Sequence, residues 1–278
     1  MTSENKDSFF SSGYFGELSP YSEEDLRYHE KGIGIKSNDK AFYKYNNIGF
    51  RCDDFVKYHE GLHILFAGCS ETEGVANKSE DVWAKVLYNK IKEDNDVSGY
   101  YNVGKSGLTL SLVILNIFQY INDYGVPDYI FLQAPDQIRV VSWSKDKGIY
   151  PLYQNKKQLP INSAELEDFF ENNLSAVDLN LNAFFNKFIM RTLVQFCKIN
   201  SVKLIWSTWN PSSYGIDLLD KETGYIPTEP SGKDHWGIKI EDLIARDGYH
   251  LGKGFHKIWA DKFYRRFISD QNDKKNDD

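Results

Sequence analysis

The chain has 278 residues, enough for one large domain or for one domain with embellishments, and its 41% hydrophobic and 15% aromatic content supports a sizeable core. A net charge of −7 without a Lys/Arg stripe argues against a nucleic-acid surface, and the longest apolar stretch, LTLSLVILNIFQYI, is too short and too polar to span a bilayer. Three cysteines, Cys52, Cys69 and Cys197, contain no C-x-x-C pair and fit a reduced compartment. The first residues, MTSENKDSFF, carry no cationic apolar leader, which makes the cytoplasm the default expectation. No His/Cys/Asp cluster has metal-ligand spacing, and neither a metal nor a cofactor is expected.

Residues 1–60 lack a strand–helix rhythm and are expected to wrap the core as an extension. Within them Arg51 is expected to tie this arm to the core through a fork of hydrogen bonds, with a place at the site as the alternative. Residues 61–269 then alternate. HILFAG (63–68) reads as a buried strand ending in glycine. Residues 81–91 read as a helix with Val82, Trp83, Val86, Leu87 and Ile91 on one face. YYNV is a second strand. Residues 108–120 are a helix with Leu110, Ile114, Ile117 and Ile121 at helical spacing. DYIFLQ (128–133) is a third strand. Residues 177–196 are a long helix with Leu181, Phe184, Phe185 and Phe188 turned inward. VKLIWST (202–208) is a fourth strand, and 255–267 a final helix burying Ile258, Trp259 and Phe263. Two irregular insertions, 140–175 and 209–246, carry aromatics and serve either as lids or as surface packing. DQNDKKNDD (270–278) reads as a disordered tail.

This alternation predicts an α/β fold with a parallel sheet covered on both faces. Reacting groups in such sheets sit at the carboxyl ends of the strands. After the first strand comes GCSETEG, where Ser70 either exposes a hydroxyl and its own N–H to a developing anion or simply caps a helix. After the second strand comes NVGKSG. GYYNVGKSG matches the spacing G-x-x-x-x-G-K-[ST] of a nucleotide-binding P-loop. That motif needs its strand before the first glycine, whereas here the strand lies inside it, so a nucleotide binder is the less favoured reading. After the last strand comes ARDGYHLGKG, in which Asp247 and His250 either form a base with its orienting carboxylate or are a turn aspartate and a surface histidine.

Taken in order, these three segments resemble the SGNH (GDSL-type) hydrolases: GCSETEG for the serine block, Gly104 for the second block, and Asp247 with His250 for the last, over roughly residues 62–267. The resemblance implies a three-layer α/β/α sandwich with a flavodoxin-like central parallel sheet. It also implies ester hydrolysis through a Ser70–His250–Asp247 triad, with oxyanion N–H groups from Ser70 and Gly104. Lys105 would then follow the oxyanion glycine and point away from the chemistry. The implied partner is a small-molecule or glycan ester, an acetyl ester on a carbohydrate among the candidates. Two positions depart from the family pattern. Cys69 stands where an aspartate is usual, and Pro135 where the third block has an asparagine. Proline supplies neither a side-chain amide nor an N–H, so Gln133 or Arg139 is expected to replace the missing donor. The same departures keep open a non-catalytic binding protein on this fold.

Overall fold

In a computed structural model, which describes residues 44–135, 139–144, 148–153, 179–208, 217–227, 242, 245 and 250–277, the four apolar runs pair into one sheet. Its strands are β1 (Ile64–Ala67), β2 (Tyr101–Asn102), β3 (Tyr129–Ala134) and β6 (Lys203–Thr208), ordered β2–β1–β3–β6 and all parallel. Side chains alternate across this sheet. Leu65, Ala67, Ile130, Leu132 and Trp206 face one side; Ile64, Phe66, Tyr129, Phe131 and Ile205 face the other. A strand buried on both faces must be apolar at nearly every position, and β1 is.

Helices cover both sides. A four-residue helix, α1 (Ser70–Glu73), follows β1, and α2 is Trp83–Asp94. The others are α3 (Leu110–Tyr124), α4 (Leu179–Ile199) and α5 (Lys253–Asp277). Trp83, Leu87 and Ile91 of α2 lie one turn apart and pack with Trp259 and Phe263 of α5, where the Trp83 and Phe263 rings stack at 4.8 Å. On the opposite face α3 and α4 bury Val113, Ile117, Met190 and Leu193. The result is a three-layer α/β/α arrangement with the strand order of flavodoxin-like sheets, whose topological switch lies between β1 and β3.

Both sheet edges are covered. Beside β2, Asp53 of the arm gives its N–H to the Tyr100 carbonyl and accepts the Tyr100 N–H on Oδ2. Beside β6, Gly224 O and the Ile226 N–H bond to Trp206. The arm is fastened as expected at Arg51, whose guanidinium donates to the carbonyls of Glu73, Gly74 and Asn77.

Three expectations change. The α4 aromatics do not point inward: Phe184, Phe185 and Phe188 are 60, 50 and 61% exposed, and the face turned to the core carries Asn186, Met190, Leu193 and Cys197. This helix is apolar around most of its circumference, so periodicity alone leaves its rotation undetermined. The segment from 140, read as irregular, contains an antiparallel hairpin of β4 (Arg139–Ser144) and β5 (Gly148–Tyr153). Residues 270–277, read as a disordered tail, continue α5, where Asp270 pairs with Arg266 one turn earlier at 2.9 Å.

At the amino end of β1, His63 stacks on His59 of the arm with ring centroids 3.4 Å apart, and its Nε2 lies 2.7 Å from the Tyr120 hydroxyl. Burial and the neighbouring His59 ring push the His63 pKa down to about 3. The unfolded chain, with an imidazole pKa of about 6.5, therefore takes up this proton first. Stability from this group is complete above that value and is lost as pH falls from there toward 3. The melting temperature should thus drop between pH 7 and pH 4, and drop less in His63→Gln. Parallel pH profiles for the two proteins would refute the assignment.

Candidate active site

The carboxyl ends of β1, β2 and β3 converge on α1. Thr72 of that helix sits against both Gly68 and Gly104. A Cβ at Gly68 would stand 2.0 Å from Thr72 Oγ1, and one at Gly104 2.8 Å from Thr72 Cβ and Cγ2. The two glycines are there because α1 approaches both backbones too closely for any side chain. Lys105 N–H donates to Gly68 O at 3.3 Å, joining the second segment to the first.

Ser70 is the first residue of α1 and is buried. Its hydroxyl lies 4.0 Å from the Cys69 sulfur, and its N–H has no acceptor among the described residues. Gly104 is buried at the crevice, but its N–H is engaged by Asn102 Oδ1 at 2.8 Å. Asn102 is fully buried and also donates to Thr72 O and to the Tyr100 hydroxyl. An amide at the end of a short strand, a poor position for asparagine, is the sequence signal that marks this residue. Gln133, at the end of β3, is 2% exposed, and among the described residues neither its Oε1 nor its Nε2 has a hydrogen-bond partner. Arg139 opens β4, its backbone paired with Tyr153. Asp247 lies outside the described residues. His250 is half-buried, and its carbonyl accepts the Ala245 N–H at 2.8 Å.

The two acids of α1, which at a helix start suit the helix dipole, are cross-links instead. Glu73 is buried and accepts from Lys105 Nζ at 2.9 Å, from the Ser106 N–H at 2.6 Å and from the Tyr45 hydroxyl at 3.3 Å. Lys105 also donates to Gly49 O and lies 4.2 Å from the Tyr45 ring centroid. Its amine is thus enclosed by protein, and with β2 inside the motif, GYYNVGKSG has neither the strand nor the free lysine of a P-loop. Glu71 reaches the other way. Its Oε1 accepts the Leu251 N–H at 3.2 Å, and its Oε2 lies 3.4 Å from His256 Nε2. His256 is fully buried; its Nδ1 accepts the Trp83 N–H, and its Nε2 also lies 3.2 Å from Asn77 Nδ2. Asn77 donates to Leu251 O at 2.9 Å.

Among the described residues, no cluster of three or more His, Cys, Asp or Glu has the arrangement to hold a metal, and no helix is long and apolar enough to cross a membrane. A cavity of about 410 Å³ lined by Cys197, Lys203, Glu222 and Arg266 lies at the amino end of β6, away from α1.

No family model matches the sequence, and no curated protein matches it. Among solved structures the chain is similar to the psychrotrophic esterase EstA from Pseudoalteromonas sp., at 15% identity and TM-score 0.45 over 75% of this chain and 98% of that one. It is also similar to a lipolytic protein of the G-D-S-L family from Desulfitobacterium hafniense, at 10% identity and TM-score 0.43 over 73% and 98% of the two chains. A third is an acylhydrolase from Bacteroides fragilis, at 13% identity and TM-score 0.41 over 88% and 95%.

Removing the Lys105 amine strands the Glu73 charge in the interior. Lys105→Met should therefore cost on the order of 3–5 kcal/mol, read from the urea midpoint. Adding Glu73→Gln should recover part of the loss. ATP in large excess should leave the melting temperature of the native protein unchanged. A neutral Lys105→Met, or stabilisation by ATP, would contradict these roles.

Proposed function

We propose that the protein is a serine esterase or acylhydrolase acting on a carboxylic ester of a small molecule or glycan, with acetyl esters of carbohydrates the first class to test. One juxtaposition supports this reading. The residue after Ser70 binds the residue after His250, through Glu71 Oε1 and the Leu251 N–H, so the serine and D-x-x-H segments meet although 180 positions separate the bonded residues. In this reading Ser70 Oγ attacks the ester carbonyl while His250 takes its proton, and His250 then protonates the departing alkoxide. Water, deprotonated by His250, next hydrolyses the acyl-enzyme, and Asp247 holds the imidazole in the required tautomer.

Charge on the tetrahedral oxygen needs donors that are not already committed. The Ser70 N–H meets that condition. Gly104 would have to share its N–H with Asn102. Gln133 is the favoured substitute for the asparagine that Pro135 displaces, because a buried amide without partners among the described residues costs stability unless something else claims it. Arg139, on the hairpin that follows, has less in its favour.

A second reading, a non-catalytic binding protein on this fold, is favoured by the engaged Gly104 N–H and by a cysteine rather than an aspartate at position 69.

A fluorophosphonate probe should label the wild type and not Ser70→Ala, and only the wild type should hydrolyse p-nitrophenyl acetate or acetylated glycans. A folded wild type that neither labels nor turns over would establish the binding reading instead. Gln133→Leu should lower kcat about 100-fold with KM little changed. Its melting temperature should be equal or higher, since the variant removes an unsatisfied amide. Unchanged kcat would place the donor elsewhere.

A further inference from the structure

Both backbone groups of Leu251 are held by side chains from the segment that carries Ser70. Glu71 takes its N–H and Asn77 takes its carbonyl. The preceding residue, His250, has its carbonyl fixed by the Ala245 N–H just before α5 begins. The second oxygen of the Glu71 carboxylate lies 3.4 Å from Nε2 of the fully buried His256, whose Nδ1 accepts the Trp83 N–H. A buried carboxylate one residue beyond the serine, aimed at the backbone one residue beyond the histidine, does more than complement a helix dipole.

We propose that Glu71 is a positioning residue that sets the distance between the His250 imidazole and the Ser70 hydroxyl by clamping the Leu251 N–H. The inference rests on the reading of Ser70 and His250 as nucleophile and base. Misplacement of a catalytic group by about 1 Å can cost on the order of 100-fold in rate, so the clamp acts on kcat, whereas substrate affinity is decided by other surfaces.

The test measures kcat per active site, with sites counted by the end point of fluorophosphonate labelling. Glu71→Ala should lower kcat per labelled site about 100-fold and leave KM within about threefold. Glu71→Gln keeps an acceptor oxygen for the Leu251 N–H and should stay within about tenfold of wild type. A merely structural role would lower the melting temperature or the labelled fraction, yet leave kcat per labelled site unchanged. That result overturns the proposal. If Glu71→Ala does not fold, Glu71→Asp carries the test: its shorter reach should lower kcat at least about tenfold, and wild-type kcat in that variant equally overturns the proposal. Failure of the underlying reading looks different, because wild type and Ser70→Ala would then show the same turnover.

Discussion

The crevice depends on the buried carboxylate of Glu73. An isolated charge in that position would be prohibitively unfavourable, so each of its contacts is also a constraint. Lys105 supplies the counter-charge, the Ser106 N–H a short hydrogen bond, and the Tyr45 hydroxyl a third. Those three residues belong to two segments, the turn after β2 and the N-terminal arm. One desolvated charge therefore fastens α1, the Gly104 turn and the arm together. Glu71 repeats the device toward α5, and Arg51 ties the arm to the carbonyls at the end of α1. A helix of four residues has little stability of its own; here it is held from three directions.

Around this helix the packing is close enough to decide residue identity. Gly68 and Gly104 leave room for Thr72, and Asn102 consumes donors and acceptors that would otherwise be orphaned. Gln133 is buried at the topological switch with both amide atoms unpaired among the described residues. A buried amide of this kind carries a cost, and such rules are broken mainly where function demands it. The histidine stack at the opposite end of β1 shows the contrasting case. There burial holds His63 neutral, and the consequence is a dependence of stability on pH.

Much of the fold was legible along the chain. The strands at 63–68, 128–133 and 202–208 were marked by apolar runs with turn residues at their ends, and the second strand by YYNV, short as it is. Helices α2 and α3 followed from side chains three and four apart. Where the reading failed, the local signal was degenerate. In α4 the phenylalanines marked an apolar stripe, but a different stripe packs on the sheet. The charged end of α5 has the composition of a solvated tail, and it continues a helix already nucleated by Trp259 and Phe263. The hairpin of β4 and β5 was hidden inside a segment with no clean alternation.

What the sequence by itself determined was the set of elements and their order: an alternation of apolar strands and amphipathic helices, with Gly68, Ser70, Gly104, Gln133 and His250 lying at or just beyond strand ends or before the last helix. Hydrophobic periodicity is a local property, and it can be read within a window of a few turns. The tertiary structure alone decided which polar groups meet. Glu73 finds Lys105 across 32 positions and Glu71 finds Leu251 across 180, because the strand order β2–β1–β3–β6 brings their segments to one end of the sheet. The same closeness commits the Gly104 N–H to Asn102 and leaves the Gln133 amide without a partner among the described residues. No local pattern encodes those outcomes, since a hydrogen bond depends on positions matched to a few tenths of an ångström across elements that the sequence places far apart.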